Sequence, residues 1–177
     1  MASVISHPAV PFAIAVAFGS TRVSPALTVA ACAVSVLPDL DAFGFIGGIP
    51  YQNLFGHRGF THSLFFALLV AAAGTCFARK LGASPGVAFA VLFVSIASHG
   101  VLDALTTGGL GVAFFSPFSN RRYFFPWRVL TVSPIGICAF MSSWGLRVLK
   151  SELTWVWAPC AVAAVIGVAF RKLLRTA

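Results

Sequence analysis

The chain has 177 residues, 59% of them hydrophobic and only 9% charged, with a mean hydropathy of +0.94. Such a composition excludes an ordinary water-soluble domain and points to a chain whose solvent is lipid. Its net charge of +8 comes from Lys and Arg clustered between apolar runs, as at Arg79-Lys80, Arg121-Arg122 and Arg171-Lys172. That is the placement of loop charges flanking membrane spans, so membrane lipids are the expected partners and nucleic acid is not.

Uncharged apolar runs occupy residues 8–21, 23–38, 63–78, 81–98, 129–146 and 153–170. The expected fold is an all-α integral membrane protein of about six transmembrane helices, a single membrane-embedded domain over residues 1–177. No Lys or Arg precedes Arg22, so the first run lacks the charged flank of a secretory signal and is expected to be retained. The first two runs are short. From Pro8 to Thr21 a helix covers only about 21 Å of a hydrocarbon layer of about 30 Å, so one end of this hairpin should be recessed.

Between the second and third runs lies a connection at 39–62 rich in Gly, Phe and His, and after the fourth a second at 104–128 carrying TTGGLG and SPFSNRRYFFPW. Long connections in a compact protein are where function tends to sit. The last two runs, within 129–170, carry no polar motif and are expected only to pack. The four cysteines (Cys32, Cys76, Cys138, Cys160) lie in or beside apolar runs without CxxC spacing and read as packing residues.

The polar residues are few and grouped. Of four acids and four histidines, all but Glu152 fall in His7-Pro8, LPDLD at 37–41, HRGFTHS at 57–63 and SHGVLD at 98–103. Threading the runs alternately through a bilayer places His7, Asp39, Asp41, His57, His62, His99 and Asp103 on one membrane face. His99 and Asp103 are four apart and share a helix face. Ionisable residues at membrane depth are costly, and their default reading is functional.

Imidazoles with carboxylates suit a divalent metal, foremost Zn, with Mn or Fe as alternatives, and this gathering could hold two or three ions. The candidate ligands are His7, Asp39, His57, His62, His99 and Asp103, while Asp41 is either a further ligand or a base. Arg58, Arg121 and Arg122, with Asn120, are candidate forks for phosphate oxygens. TTGGLG, directly after Asp103, could present backbone N–H groups to an anion. Tyr123, Phe124, Phe125 and Trp127 read as an interfacial belt.

Together, His7, LPDLD, HRGFTHS, SHGVLDALTTGG and SPFSNRRYFFPW resemble the YdjM-like family of membrane-bound, metal-dependent hydrolases, LexA-regulated in some bacteria. The likeness covers most of residues 7–128 and implies a hydrolase of the bacterial inner membrane. More loosely, His-x-x-x-Asp at 99–103 with ligands from several helices is similar to the zinc-dependent phospholipase C and P1 nuclease arrangement, although the full ligand set of those enzymes is missing. The reading that follows is a phosphoesterase acting on a lipid or other amphiphile with metal-activated water. The alternative is a divalent-cation or proton transporter, since such residues also mark ion pathways. Transporters more often place them near the midplane, in paired inverted repeats, and no repeat is visible here.

Overall fold

A computed structural model describes residues 1–176 and is all-helical, in agreement with the expected class. Seven α-helices follow in order: α1 (Ala9–Phe18), α2 (Pro25–Val36), α3 (Leu64–Thr75), α4 (Pro85–Ala104), α5 (Ile137–Phe140), α6 (Ser143–Glu152) and α7 (Ala158–Thr176). Two 3-10 stretches, Leu37–Phe45 and Phe60–His62, and one π turn, Leu153–Trp157, complete the set. Among the described residues there is no strand, only isolated bridges joining Thr106 to Leu130 and Val112 to Tyr123.

Helix starts follow local chemistry. Ser24, Ser63 and Ser84 each accept the backbone N–H three residues on, and Pro25 and Pro85 occupy the first helical position, where a missing N–H costs nothing. By length and composition three helical stretches could cross a membrane: Pro25–Phe45 with 21 residues, Pro85–Ala104 with 20, and Ser143–Arg175 with 33. α1 and α3 are apolar but only 10 and 12 residues long.

The apolar run at 129–146 departs from its expectation, because it does not form a helix of its own. Pro134 lacks an N–H and Gly136 sits at φ 103, so the chain stays irregular until the single turn of α5. The end of the run opens α6, which continues through the π turn into α7 as one long helix. Mean hydropathy cannot see this break.

α4 packs against both α2 and α3, and α1 lies between α2 and α7. The contacts use small residues: Ala31, Ala71 and Ala88 are fully buried, and a side-chain carbon at Gly167 would meet Ala17 Cβ at 2.5 Å. Close backbone approach of this kind holds helices together in lipid, where apolar burial supplies little drive. The arrangement brings the start of α1, the end of α2, the entry to α3 and the end of α4 to one end of the bundle.

Candidate metal centre

Each polar residue reaches this end by a different element. His7 precedes α1, Asp39 and Asp41 ride on the 3-10 stretch that prolongs α2, His62 closes the turn before α3, and His99 and Asp103 occupy the last turns of α4. His7, Asp39, His62, His99 and Asp103 are all buried. Asp39, His62, His99 and Asp103 have ligand atoms close enough together to hold a metal ion; Asp41, His57 and His62 form a second such group.

Hydrogen bonding assigns the ring nitrogens. His99 Nδ1 lies 2.7 Å from the Ser35 carbonyl, which can only accept, so Nδ1 carries the proton and Nε2 is left with a lone pair. His62 Nδ1 lies 3.1 Å from Asp41 Oδ2, which leaves its Nε2 as the nitrogen where an ion could take the place of a proton. The two Nε2 atoms then face each other at 3.0 Å. Around them, Asp39 Oδ1 is 3.3 Å from His99 Nε2 and Asp103 Oδ2 is 3.5 Å from His62 Nε2. Lone pairs and carboxylate oxygens crowded this closely repel unless a positive charge sits among them.

The demand for a cation shows in His62. Burial alone would lower its pKa, yet Asp103, Asp39 and Asp41 push it up to about 10. A divalent ion would answer the same demand at the Nε2 lone pair. The carboxylates of Asp39, Asp41 and Asp103 outnumber the single guanidinium among them, that of Arg58. Several atoms here also lack a hydrogen-bond partner: both nitrogens of His7 and both oxygens of Asp39. His7 stacks on His99 at 3.6 Å between ring centres, with its Nε2 3.7 Å from Asp39 and 3.9 Å from Asp103. Buried polar atoms left unpaired in one spot call for a ligand, and this donor set fits a divalent metal.

Asp41 stands behind this centre. Its two oxygens take His57 Nδ1 at 2.6 Å, the Thr61 hydroxyl at 2.6 Å, the Arg58 N–H at 3.2 Å and His62 Nδ1. A carboxylate so occupied fixes imidazole tautomers from the second rank. His57 contacts Asp41 and lies beside the buried group of four, not within it. Thr61, inside HRGFTHS, had no sequence signal beyond its place between the two histidines.

The arginines fare differently from expectation. Arg58 is fully buried, with Nε 3.0 Å from Asp103 Oδ2, one terminal nitrogen donating to the Gly108 carbonyl and the other to the Thr106 hydroxyl, both at 2.9 Å. Its guanidinium is spent on the protein. The TTGGLG loop accordingly offers oxygens to a cation, where backbone N–H groups for an anion were expected. Arg122 donates to the carbonyls of His57 and Tyr51 at 3.0 and 2.9 Å and so ties the two long connections together. Tyr51, packed against this arginine, has its phenol pushed up by burial. Arg121 is exposed and leans on the Tyr123 ring. Among the three, it alone is exposed.

Glu152, the acid that stood apart in sequence, is also buried at this end. It accepts from the Ser3 backbone N–H and from the hydroxyls of Ser3 and Ser6 at 2.5 and 2.8 Å. The Ala2 N–H donates to Asp103 Oδ1 at 2.6 Å. The segment leading to His7 is therefore pinned to both α6 and α4.

Short helices closing around a buried centre of three histidines and two aspartates define a helical membrane protein that could hold a metal ion. The chain belongs to the YdjM inner membrane protein family, whose model matches residues 1–175, and is an inner membrane protein. It is 41% identical over 160 residues to inner membrane protein YbcI of Escherichia coli (strain K12), covering 90% of this chain and 92% of that protein. It is 37% identical over 70 residues to YvsG of Bacillus subtilis (strain 168), covering 40% and 41% of the two chains. No solved structure matches the chain significantly.

Proposed function

We propose that this protein is a membrane-bound metal-dependent hydrolase acting on a phosphoester of a lipid or similar amphiphile. The observation that carries the reading is the convergence of His62 Nε2 and His99 Nε2, 3.0 Å apart, on the carboxylates of Asp39 and Asp103. His62, His99, Asp39 and Asp103 would hold the ion, with His7 beside them. A bound divalent ion would lower the pKa of water towards about 7 and stabilise charge developing on a phosphoryl oxygen.

The protein's own groups do the rest. Asp41 and the Ser35 carbonyl keep the imidazoles in the ligating tautomer. Arg58 lends Asp103 a fixed counter-charge. Arg121, exposed beside the aromatic belt, is the arginine left to receive a phosphate from the bilayer surface.

Proteoliposomes measured for phosphate release from lipid phosphates and, in parallel, for metal uptake test this directly. The expected result is chelator-sensitive hydrolysis that falls on the order of 10²-fold in Arg121→Ala with metal content unchanged. Metal uptake without hydrolysis, undiminished by Arg121→Ala, would replace this reading with transport.

A further inference from the structure

The end of the bundle away from the His/Asp centre has the opposite electrostatic character. Asp39, Asp41, Asp103 and Glu152 account for every side-chain carboxylate, and all four lie at the His7 end. At the far end of α1, Arg22, Arg171 and Arg175 line one cavity of about 520 Å3. Arg171 is pre-set there, since its guanidinium donates to the carbonyls of Val16 and Ala17 at 3.3 and 3.2 Å, capping α1. Gly19, at φ 75, makes this possible, because a side-chain carbon there would overlap the guanidinium.

The basic cavity opens on two apolar grooves, one on either side of α1. The first, of about 440 Å3, runs between α1 and α4 past Ile14, Val87, Ala90 and Val94 and shares Phe18 and Arg22 with the cavity. The second, of about 660 Å3, runs between α1 and α7 past Val10, Ala13, Ala163 and Ile166 and shares Phe18, Gly167 and Phe170 with it. Phe18 borders all three spaces and parts the grooves where they leave the arginines. One basic cavity with two apolar branches has the shape and charge of an anionic glycerophospholipid, head group first.

We propose that this is a binding site for an anionic two-chain phospholipid, with its phosphate on Arg22, Arg171 and Arg175 and one acyl chain in each groove beside α1. Guanidinium forks suit phosphate oxygens, and basic residues at the membrane surface favour anionic lipid. The site lies on the membrane face opposite the His/Asp centre and does not depend on what that centre does.

The test is native mass spectrometry of the full chain in detergent, with chelator present, given phosphatidylglycerol and phosphatidylcholine of identical chains. Wild type should retain phosphatidylglycerol in preference. Arg22→Gln/Arg175→Gln, which spares the capping Arg171, should cut that preference by about tenfold or more, and Arg22→Gln alone by a smaller factor. Ala90→Phe/Ala163→Phe, filling both grooves from exposed positions, should weaken both lipids alike. Millimolar inorganic phosphate should not displace the bound lipid. Monodispersity and an unchanged melting temperature certify each variant's fold. Equal retention of the two lipids by wild type, a preference surviving in the double Gln variant, indifference to groove filling, or displacement by free phosphate would each overturn the proposal.

Discussion

Arg58 shows how far residue type and residue role can separate. Between two histidines it reads as a phosphate fork, but its backbone sits at φ 63, with the N–H held by Asp41 and the carbonyl by Ala113, and its side chain is directed inward to Asp103. The partners that impose this lie 17 to 55 residues away, beyond any local pattern. Removing the guanidinium leaves a buried carboxylate without its partner, so Arg58→Ala should cost about 3 to 5 kcal/mol of stability, read as a lower melting temperature in detergent. Arg58→Lys should recover little, since an ammonium cannot span the carboxylate, the carbonyl and the hydroxyl together. Asp41→Asn tests the tautomer argument. It keeps the shape but weakens the hold on two Nδ1–H groups, and metal affinity by competition titration should fall about 10- to 100-fold. An unchanged affinity would make Asp41 a packing residue.

At the scale of elements, the seven-residue gathering was legible because each short polar motif sits where an apolar run begins or ends, so alternate threading alone brought them to one face. The roles were less legible. Run 129–146 has the hydropathy of a span, but Pro134 and Gly136 prevent one helix, and its remainder merges into the long α6–α7 helix. Glu152 seemed isolated because its partners, Ser3 and Ser6, are 149 and 146 residues away. It gives the C-terminal helices a connection to the centre through the segment that carries His7. Glu152→Ala leaves buried donors unmatched and should loosen His7. If it acts through His7, metal affinities of Glu152→Ala, His7→Ala and the double variant should be non-additive, the double variant being little worse than His7→Ala. Full additivity would detach Glu152 from the centre.

The whole molecule is polarised along α1, with every side-chain carboxylate and every histidine at one end and Arg22, Arg171 and Arg175 at the other. This predicts that cysteines replacing Arg22 and Tyr51, in a cysteine-free background, are labelled from opposite sides of the membrane. Labelling of both from one side would remove the threading on which the arrangement rests. The central claim is that the His/Asp centre holds a divalent ion, and the most direct measurement is metal content of the purified protein by elemental analysis. Wild type should carry at least one zinc-like or manganese-like ion per chain, and Asp39→Ala and Asp103→Ala should each lose most of it while remaining monodisperse. Wild-type protein without metal after metal-replete expression, or undiminished content in both variants, would contradict the account.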